Sequence, residues 1–279
     1  MNLGISGIIN LWIIIIILTI VMIHLYLQNI WIEIEHFDIK FKNRPLNLQE
    51  LKIAHISDVH VPNNAYNIEK LINKLKRENP DIIVITGDLI YKYKKIDEMQ
   101  LGKLCLGLSN IAKTYAVSGN HEIWSSSIEQ WNEILKSNNV TVLDNKIEIF
   151  KKGQSEVAFI GLKEGCSYLD VNFRCKYLDQ SIPKILLSHR PERFNNYCTS
   201  TLNIRPDLVL SGHAHGGQFR IPLLNKAIYA PDQGLFPKYS SGLYASDNGV
   251  QMVVSRGLSN SVFPIRIHNR IHLPIIHLK

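Results

Sequence analysis

The chain is short of the features that mark several common protein classes. Its 279 residues hold only four cysteines, Cys105, Cys166, Cys175 and Cys198, with no Cys-x-x-Cys pair and no histidine at zinc-finger spacing. A structural zinc module is therefore excluded, and unpaired thiols are expected, with Cys166 and Cys175 the pair an oxidising compartment could join. No dense Lys/Arg tract with interleaved aromatics is present; Lys92, Lys94 and Lys95 around Tyr91 and Tyr93 come nearest and read as a solvated loop, so no nucleic-acid partner is expected. Internal repeats, low-complexity tracts and long linkers are absent between Trp31 and Lys279, which makes residues 31–279 one domain. With 20% charged and 46% hydrophobic residues the body is neither disordered nor a multi-span membrane protein. The net charge of +7 favours something anionic: a phosphorylated molecule, a nucleic acid or an acidic membrane surface. Nothing in the sequence speaks to oligomeric state.

What the amino terminus does contain is a long apolar run. From Leu3 to Leu27 it is interrupted only by weakly polar residues, and it includes the unbroken stretch Ile13 to Ile17. That length crosses a hydrocarbon core of roughly 30 Å as a helix. Tyr26 and Trp31 fall at its end, where amphipathic rings favour the interface. A cleaved signal peptide would need a basic segment before the run and a small-x-small site after Leu27, and neither is there, so residues 1–30 are expected to be an uncleaved transmembrane anchor. Lys40, Lys42 and Arg44 follow the span and none precedes it, which leans toward a body facing the cytoplasm.

The body alternates short β-rich runs with helical stretches. Ile30, Ile32 and Ile34 alternate with polar residues and Phe37, Ile39 and Phe41 do so in the opposite phase, predicting a strand with a bulge near Glu35 and His36. Leu51 to Ser57, Ile82 to Thr86, Tyr115 to Ser118, Val157 to Ile160, Lys184 to Ser188, Leu208 to Ser211 and Val250 to Ser255 read as buried strands. Helical spacing of apolar residues marks Ile68 to Glu78, Ile96 to Ser109 and Ser126 to Asn138. The pattern is that of an α/β body with covered sheets.

Metal-binding residue types recur at the carboxyl ends of these strands. The successive termini read Asp58-Val59-His60, Gly87-Asp88, Gly119-Asn120-His121-Glu122, His189, and Gly212-His213-Ala214-His215-Gly216-Gly217. Ligands of open α/β sheets bind outside the carboxyl ends of strands, so five such termini can converge on one site. Carboxylates, an amide oxygen and imidazoles together suit manganese, iron or zinc better than calcium, which prefers all-oxygen shells. Glycines before Asp88, Asn120 and His213 are expected to permit the sharp turn and close backbone approach such a loop needs. Isolated histidines such as His24, His36 and His55 read instead as interface, surface or packed residues.

In this order the five motifs resemble those of the calcineurin-like metallophosphoesterases, over roughly Leu51 to His215. Gly216-Gly217-Gln218, the stretch Ala230 to Tyr239, and Ser255-Arg256-Gly257-Leu258 with Arg266 extend the likeness to a bacterial, membrane-associated branch of YkuE and YaeI type. The resemblance implies a four-layer αββα sandwich, here preceded by one transmembrane helix. It also implies two divalent metals: Asp58, His60, Asp88 and His215 around one, and Asp88, Asn120, His189 and His213 around the other, with Asp88 bridging. His121 would be catalytic rather than a ligand, stabilising the transition state or protonating the leaving oxygen, with Glu122 helping to orient it. Two departures stand out. Many relatives carry a second acidic residue just after the Gly-Asp motif, where this chain reads Leu89-Ile-Tyr-Lys92, leaving the partner of His121 open. The tail Asn269-Arg-Ile-His-Leu-Pro274 also departs from a shorter Asn-Arg-Pro pattern, which leaves His272 without an assigned role.

The expected reaction is hydrolysis of a phosphodiester or pyrophosphate bond by a hydroxide held between two metals. Arg190, Arg256 and Arg266 are candidates to grip phosphate. The tether would concentrate the domain near lipid-linked or cell-envelope substrates. Competing readings are a phosphomonoesterase or phosphoprotein phosphatase, a tethered nuclease, and a catalytically silent metal-binding membrane scaffold; the last would have lost a ligand or His121, and none is missing.

Overall fold

The computed structural model describes residues 5–41, 51–63, 65–166, 178–179, 181–199, 205–260 and 263–279. Helix α1, Ile5–Ile30, is apolar along its length, and a candidate membrane span of 24 residues, Gly7–Ile30, has none of its most apolar window buried. At about 1.5 Å per residue, 26 residues reach roughly 39 Å, more than a hydrocarbon core requires. The end of α1 is fastened to the body: Gln28 Oε1 accepts the Asn269 N–H at 2.9 Å, and Asn260 Nδ2 donates to Asn29 Oδ1 at 2.7 Å.

Two six-stranded sheets face each other. The first runs β1 (Glu33–Ile39), β16 (His272–Leu278), β2 (Leu51–Ile56), β3 (Ile82–Thr86), β4 (Lys113–Val117), β5 (Val140–Val142), parallel except where β16 meets β2. The second runs β14 (Gly242–Ala245), β15 (Gln251–Val254), β9 (Leu208–Ser211), β8 (Lys184–Leu187), β7 (Ser155–Gly161), β6 (Ile147–Lys152), with antiparallel hairpins at both edges. Ile53, Val84, Tyr115 and Val117 pack between the sheets against Phe159, Ile185, Leu187 and Leu210. The outer face of the first sheet is covered by α2 (Ile68–Glu78), α3 (Glu98–Ser109) and α5 (Ile128–Ser137), through Leu71, Leu75, Leu101, Leu108 and Trp131. Phe194 and Tyr197 of α6 (Phe194–Cys198) lie on the outer face of the second. The order helix, sheet, sheet, helix is the expected αββα sandwich.

Sheets covered on both faces explain the continuous apolar runs, since Ile82–Thr86 is buried at every position. Local chemistry sets the ends: Asn67 caps α2 by accepting the Glu69 and Lys70 N–H groups, and Asn79 closes it in the left-handed region at φ 48°. The bulge expected near Glu35 is absent, because β1 pairs one-to-one with β16 from Glu33 to Ile39. The phase change has another cause. Ile32 and Ile34 face the helix-covered core, whereas Phe37 and Ile39 face the layer between the sheets, so both sides of one regular strand are buried in turn. Pro274 is accommodated because the pairing of β16 with β2 begins only at Ile275. Cys105, Cys166 and Cys198 are free thiols, while Cys175, Lys42 and Arg44 lie outside the described residues.

Candidate metal centre

The ends of β2, β3, β4, β8 and β9 meet at one edge of the sandwich and bring all the expected site residues together. Asp58 and His60 follow β2, Asp88 follows β3, Asn120 and His121 open the short helix α4 (Asn120–Trp124) after β4, His189 follows β8, and His213 and His215 follow β9. All are buried. Asp58, His60 and His215 form one group with donor atoms within 4.8 Å of one another; Asp88, His189 and His213 form a second. His215 Nε2 lies 3.4 Å from Asp58 Oδ1, and Asp88 Oδ2 lies 3.3 Å from His189 Nε2 and 3.9 Å from His60 Nε2. Asp88 thus stands between the groups. Asn120 Oδ1 reaches His189 Nε2 at 3.1 Å, on the side of the second group.

The strain sits on the acidic and imidazole residues themselves. Asp58, His60, Asp88, His213 and His215 all have positive φ, between 47° and 66°. Non-glycine residues in this region cost on the order of 1 kcal/mol or more each, and persist where the surroundings over-determine them. Of the three glycines expected to permit sharp turns and close backbone approach, Gly87 supplies the turn through its own φ of 90°. Gly119 and Gly212 are needed for space: a Cβ on Gly119 would overlap Asp88 Oδ1, and one on Gly212 would overlap Ser57 Oγ.

The donor set fits divalent cations. Burial pushes His60 down to about 3 and His215 well below its usual value, so both rings are neutral and carry a free lone pair. His60 Nε2 is buried with no hydrogen-bond partner, an orphan that coordination would satisfy. Burial opposes charge on Asp88 and His189, but their mutual attraction outweighs it, holding Asp88 well below the usual carboxylate range and His189 up to about 10. A cation bound at the second group would take the place of that imidazole proton.

His121 lines the open side of the centre. Its Nδ1 accepts the Lys92 main-chain N–H at 3.3 Å and lies 3.2 Å from His60 Nδ1, while its Nε2 is 3.9 Å from Asp88 Oδ2. The latter is its one carboxylate contact among the described residues. Tyr91, three residues after Asp88, is tilted against the ring at 5.3 Å. His60, Asp88 and His121 also satisfy the geometry of a three-ligand group, so position alone does not separate ligand from acid. Glu122 does not orient His121. Its carboxylate accepts the main-chain N–H groups of Asp88 (2.8 Å), Ile90 (3.0 Å) and Gly119 (2.7 Å), tying the second and third motifs together.

One functional neighbour went unassigned in the sequence. Asp232 Oδ2 lies 2.8 Å from His213 Nε2 and also accepts from Arg190, whose guanidinium further donates to Glu164 and Glu192. Asp232 lies in the Ala230–Tyr239 stretch, but nothing in the sequence paired it with His213. Arg190 is thereby occupied with carboxylates. Arg266 is fully buried on main-chain oxygens of Arg256 and Ser259, and Arg256 pairs with Glu33 and Glu35. None of the three arginines lines the cavity, so the expected phosphate grip is not formed by them. His272 is buried in β16, 3.1 Å from Glu35, and belongs to the sheet.

Above the centre opens a cavity of about 820 Å³, floored by Asp88, Asn120, His121, His213 and His215 and walled by Tyr91, Trp124, Phe219, Tyr229 and Phe263. Residues 51–217 match the family model described as calcineurin-like phosphoesterase. The chain belongs to that family. It is 31% identical over 256 residues to an uncharacterized metallophosphoesterase of Campylobacter jejuni, covering 88% of this chain and 63% of that protein. It is 27% identical over 258 residues to a transmembrane protein with metallophosphoesterase domain from Danio rerio, covering 87% of this chain and 56% of the relative. To the phosphodiesterase YaeI of Escherichia coli it is 26% identical over 264 residues, covering 91% and 90%. The chain thus spans less than two thirds of the length of the first two relatives. Members of the family use a dimetal centre, and the Asp/His groups of this chain are able to hold metals.

Proposed function

We propose that the protein is a membrane-anchored hydrolase that cleaves a phosphodiester or pyrophosphate bond at a two-metal centre. Residues 1–30 form the anchor and residues 31–279 the catalytic domain. The observation that carries the reading is the position of Asp88 between two groups of neutral or paired imidazoles and carboxylates. Asp58, His60, Asp88 and His215 would hold one ion, and Asp88, Asn120, His189 and His213 the other. Manganese, iron or zinc suits this donor set. When bound, such ions make a water acidic near neutral pH and neutralise charge on the phosphoryl oxygens.

The remaining work falls to the chain. Asp232 accepts a hydrogen bond from His213 Nε2–H, which leaves the unprotonated Nδ1 toward the centre and fixes the ring's tautomer. Lys92 N–H occupies His121 Nδ1, so the neutral ring carries its proton on Nε2. That N–H can donate a hydrogen bond to a phosphoryl or leaving oxygen as negative charge builds there; outright protonation of the leaving group requires the imidazolium form, which burial disfavours. The buried floor and aromatic walls keep bulk water from the developing charge.

The anchor reading is supported by the exposed apolar α1 and by the Danio rerio relative being a transmembrane protein, and the diester reading by the Escherichia coli relative being a phosphodiesterase. Lys40, Lys42 and Arg44 favour a cytoplasmic body. The test is turnover of the manganese-loaded protein in detergent against a nitrophenyl phosphodiester, the matching monoester and a nucleotide-linked lipid. Preference for the monoester would overturn the diester assignment, and no turnover of any at full metal content would favour a silent scaffold.

A further inference from the structure

Large apolar side chains stand exposed on one strip of the body. Leu223 and Leu224 lie between β10 (Arg220–Ile221) and β11 (Lys226–Ala227), Leu235 and Phe236 at the end of the hairpin β12 (Tyr229–Ala230) and β13 (Gly234–Leu235), and Phe263 and Ile265 in the loop before β16; all are 42% exposed or more, and Leu223 fully so. These segments are joined by hydrogen bonds. Gln218 Nε2 donates to Phe263 O and Ile265 O at 2.9 and 2.7 Å, Arg220 N–H donates to Ile267 O at 3.0 Å, and Phe236 N–H donates to Ile228 O at 2.8 Å. Six large apolar side chains exposed on segments that hydrogen bonds tie together are more than the scattered exposure ordinary on a soluble surface, and they mark a contact.

The strip is continuous with the foot of α1. The loop that carries Phe263 and Ile265 also carries Asn260, which bonds Asn29, and leads into His268, whose ring is 5.0 Å from that of His24, and Asn269, which bonds Gln28. Arg270 sits 4.7 Å over the Trp31 ring, an aromatic and a cation together just past the span. Exposed Lys226 and Lys238 flank Leu224 and Phe236, the arrangement of cations beside apolar residues found on surfaces that lie in a headgroup layer. Phe219, Tyr229 and Phe263 belong at once to these segments and to the cavity wall.

We infer that this strip is a second membrane contact: it dips into the bilayer surface beside α1, so that the cavity opens at the headgroup layer and receives the phosphate ester of an amphiphile still seated in the membrane. The inference rests on the reading of α1 as an anchor. The occupant is the lipid surface rather than a protein, because the segments that carry these side chains are fastened to the foot of the helix that enters it and present exposed Lys226 and Lys238 beside them.

The test uses the full chain reconstituted in vesicles of phosphatidylcholine and phosphatidylglycerol. Tryptophan introduced as Leu224→Trp or Leu235→Trp, both outside the cavity wall, should be quenched by lipids brominated high on the acyl chain. No quenching beyond that of the parent chain, in which Trp12 of α1 is quenched, would overturn the second contact and leave the anchor standing. Loss of Trp12 quenching, read against Trp12→Phe, would overturn the anchor and the inference with it. In the same vesicles, the double variant Leu224→Asp/Leu235→Asp should keep turnover of a water-soluble nitrophenyl diester and lose on the order of tenfold or more on a vesicle-borne phosphodiester. Equal turnover of both substrates would also overturn it.

Discussion

Glu122 Oε2 accepts the main-chain N–H of Asp88 at 2.8 Å, so the side chain of the third motif sets the backbone of the second. Burial and the Asp88 charge push this carboxyl up to about 7, against the pull of the three N–H groups it accepts. The arrangement is a clamp on the loop that presents Asp88.

Glu122→Ala should therefore leave the N–H groups of Asp88, Ile90 and Gly119 buried and unpaired. Each lost partner costs roughly 1–3 kcal/mol, and partial relaxation should leave a net loss of about 2–4 kcal/mol. Thermal unfolding would show this as a Tm lower by roughly 5–15 °C. An unchanged Tm would mean that water or a rearranged loop serves those groups.

Asp232→Asn should act on metal affinity rather than on folding. The carboxylate is half exposed but fixes the tautomer of His213 through Nε2. Loss of such an outer partner typically weakens binding by about 10- to 100-fold. Titration of metal-free protein with manganese or zinc measures it; unchanged affinity would reduce the Asp232 contact to a surface hydrogen bond.

The sequence made the centre legible because ligand chemistry is carried by residue type and because strand ends announce themselves through apolar runs broken by Asp, His and Gly. The same runs marked an α/β body with covered sheets, while the four-layer order came from the family resemblance. What the sequence concealed was what needs three dimensions. The left-handed backbone of Asp58 and His60 leaves no compositional trace. Asp232 meets His213 across 19 residues of chain, and Arg266 looked like a phosphate ligand because burial on main-chain oxygens cannot be read from an arginine. The Glu35 bulge was read from a phase change that a strand buried on both faces also produces.

Acid should destabilise the fold through His55, which is buried in β2 with Nε2 2.8 Å from Thr86 Oγ1. Burial, with the nearby His272, lowers it to about 3. The unfolded ring, with a pKa of about 6.5, takes up a proton that the folded ring refuses, so stability is full above that value and is lost as pH falls toward 3. The expected slope is about 1.4 kcal/mol per pH unit within the window. In urea unfolding at fixed metal concentration, His55→Leu should flatten the dependence between pH 6 and 4 by about that amount. An unaltered slope would place the acid sensitivity elsewhere.

Removal of residues 1–27 should make the protein extractable from membranes without detergent, the exposed apolar segments alone giving a peripheral contact, and should not abolish hydrolysis of a soluble diester. The cut spares Gln28 and Asn29, which fasten to Asn269 and Asn260. Fractionation and turnover together test it, and a truncated chain that still needs detergent to leave the membrane would show that α1 is not the sole firm attachment.

Asp88 and His121 should part company when metal content and rate are measured together. Asp88 lies 3.3 Å from His189 and 3.9 Å from His60, one ring of each group, so Asp88→Asn removes the charge both ions would share and should lower metal content and turnover alike. His121 is held by the Lys92 N–H and borders the cavity, so His121→Gln should keep close to two metals per chain while turnover drops by on the order of 10²- to 10⁴-fold. The drop should shrink for nitrophenolate, a leaving group that needs little protonation. An equal drop for poor and good leaving groups would assign His121 to electrostatic stabilisation instead. Because His60, Asp88 and His121 can themselves form a three-ligand group, the decisive measurement is elemental analysis of the His121→Gln protein: loss of one metal as complete as in Asp88→Asn would make His121 a ligand and remove the general acid from the scheme.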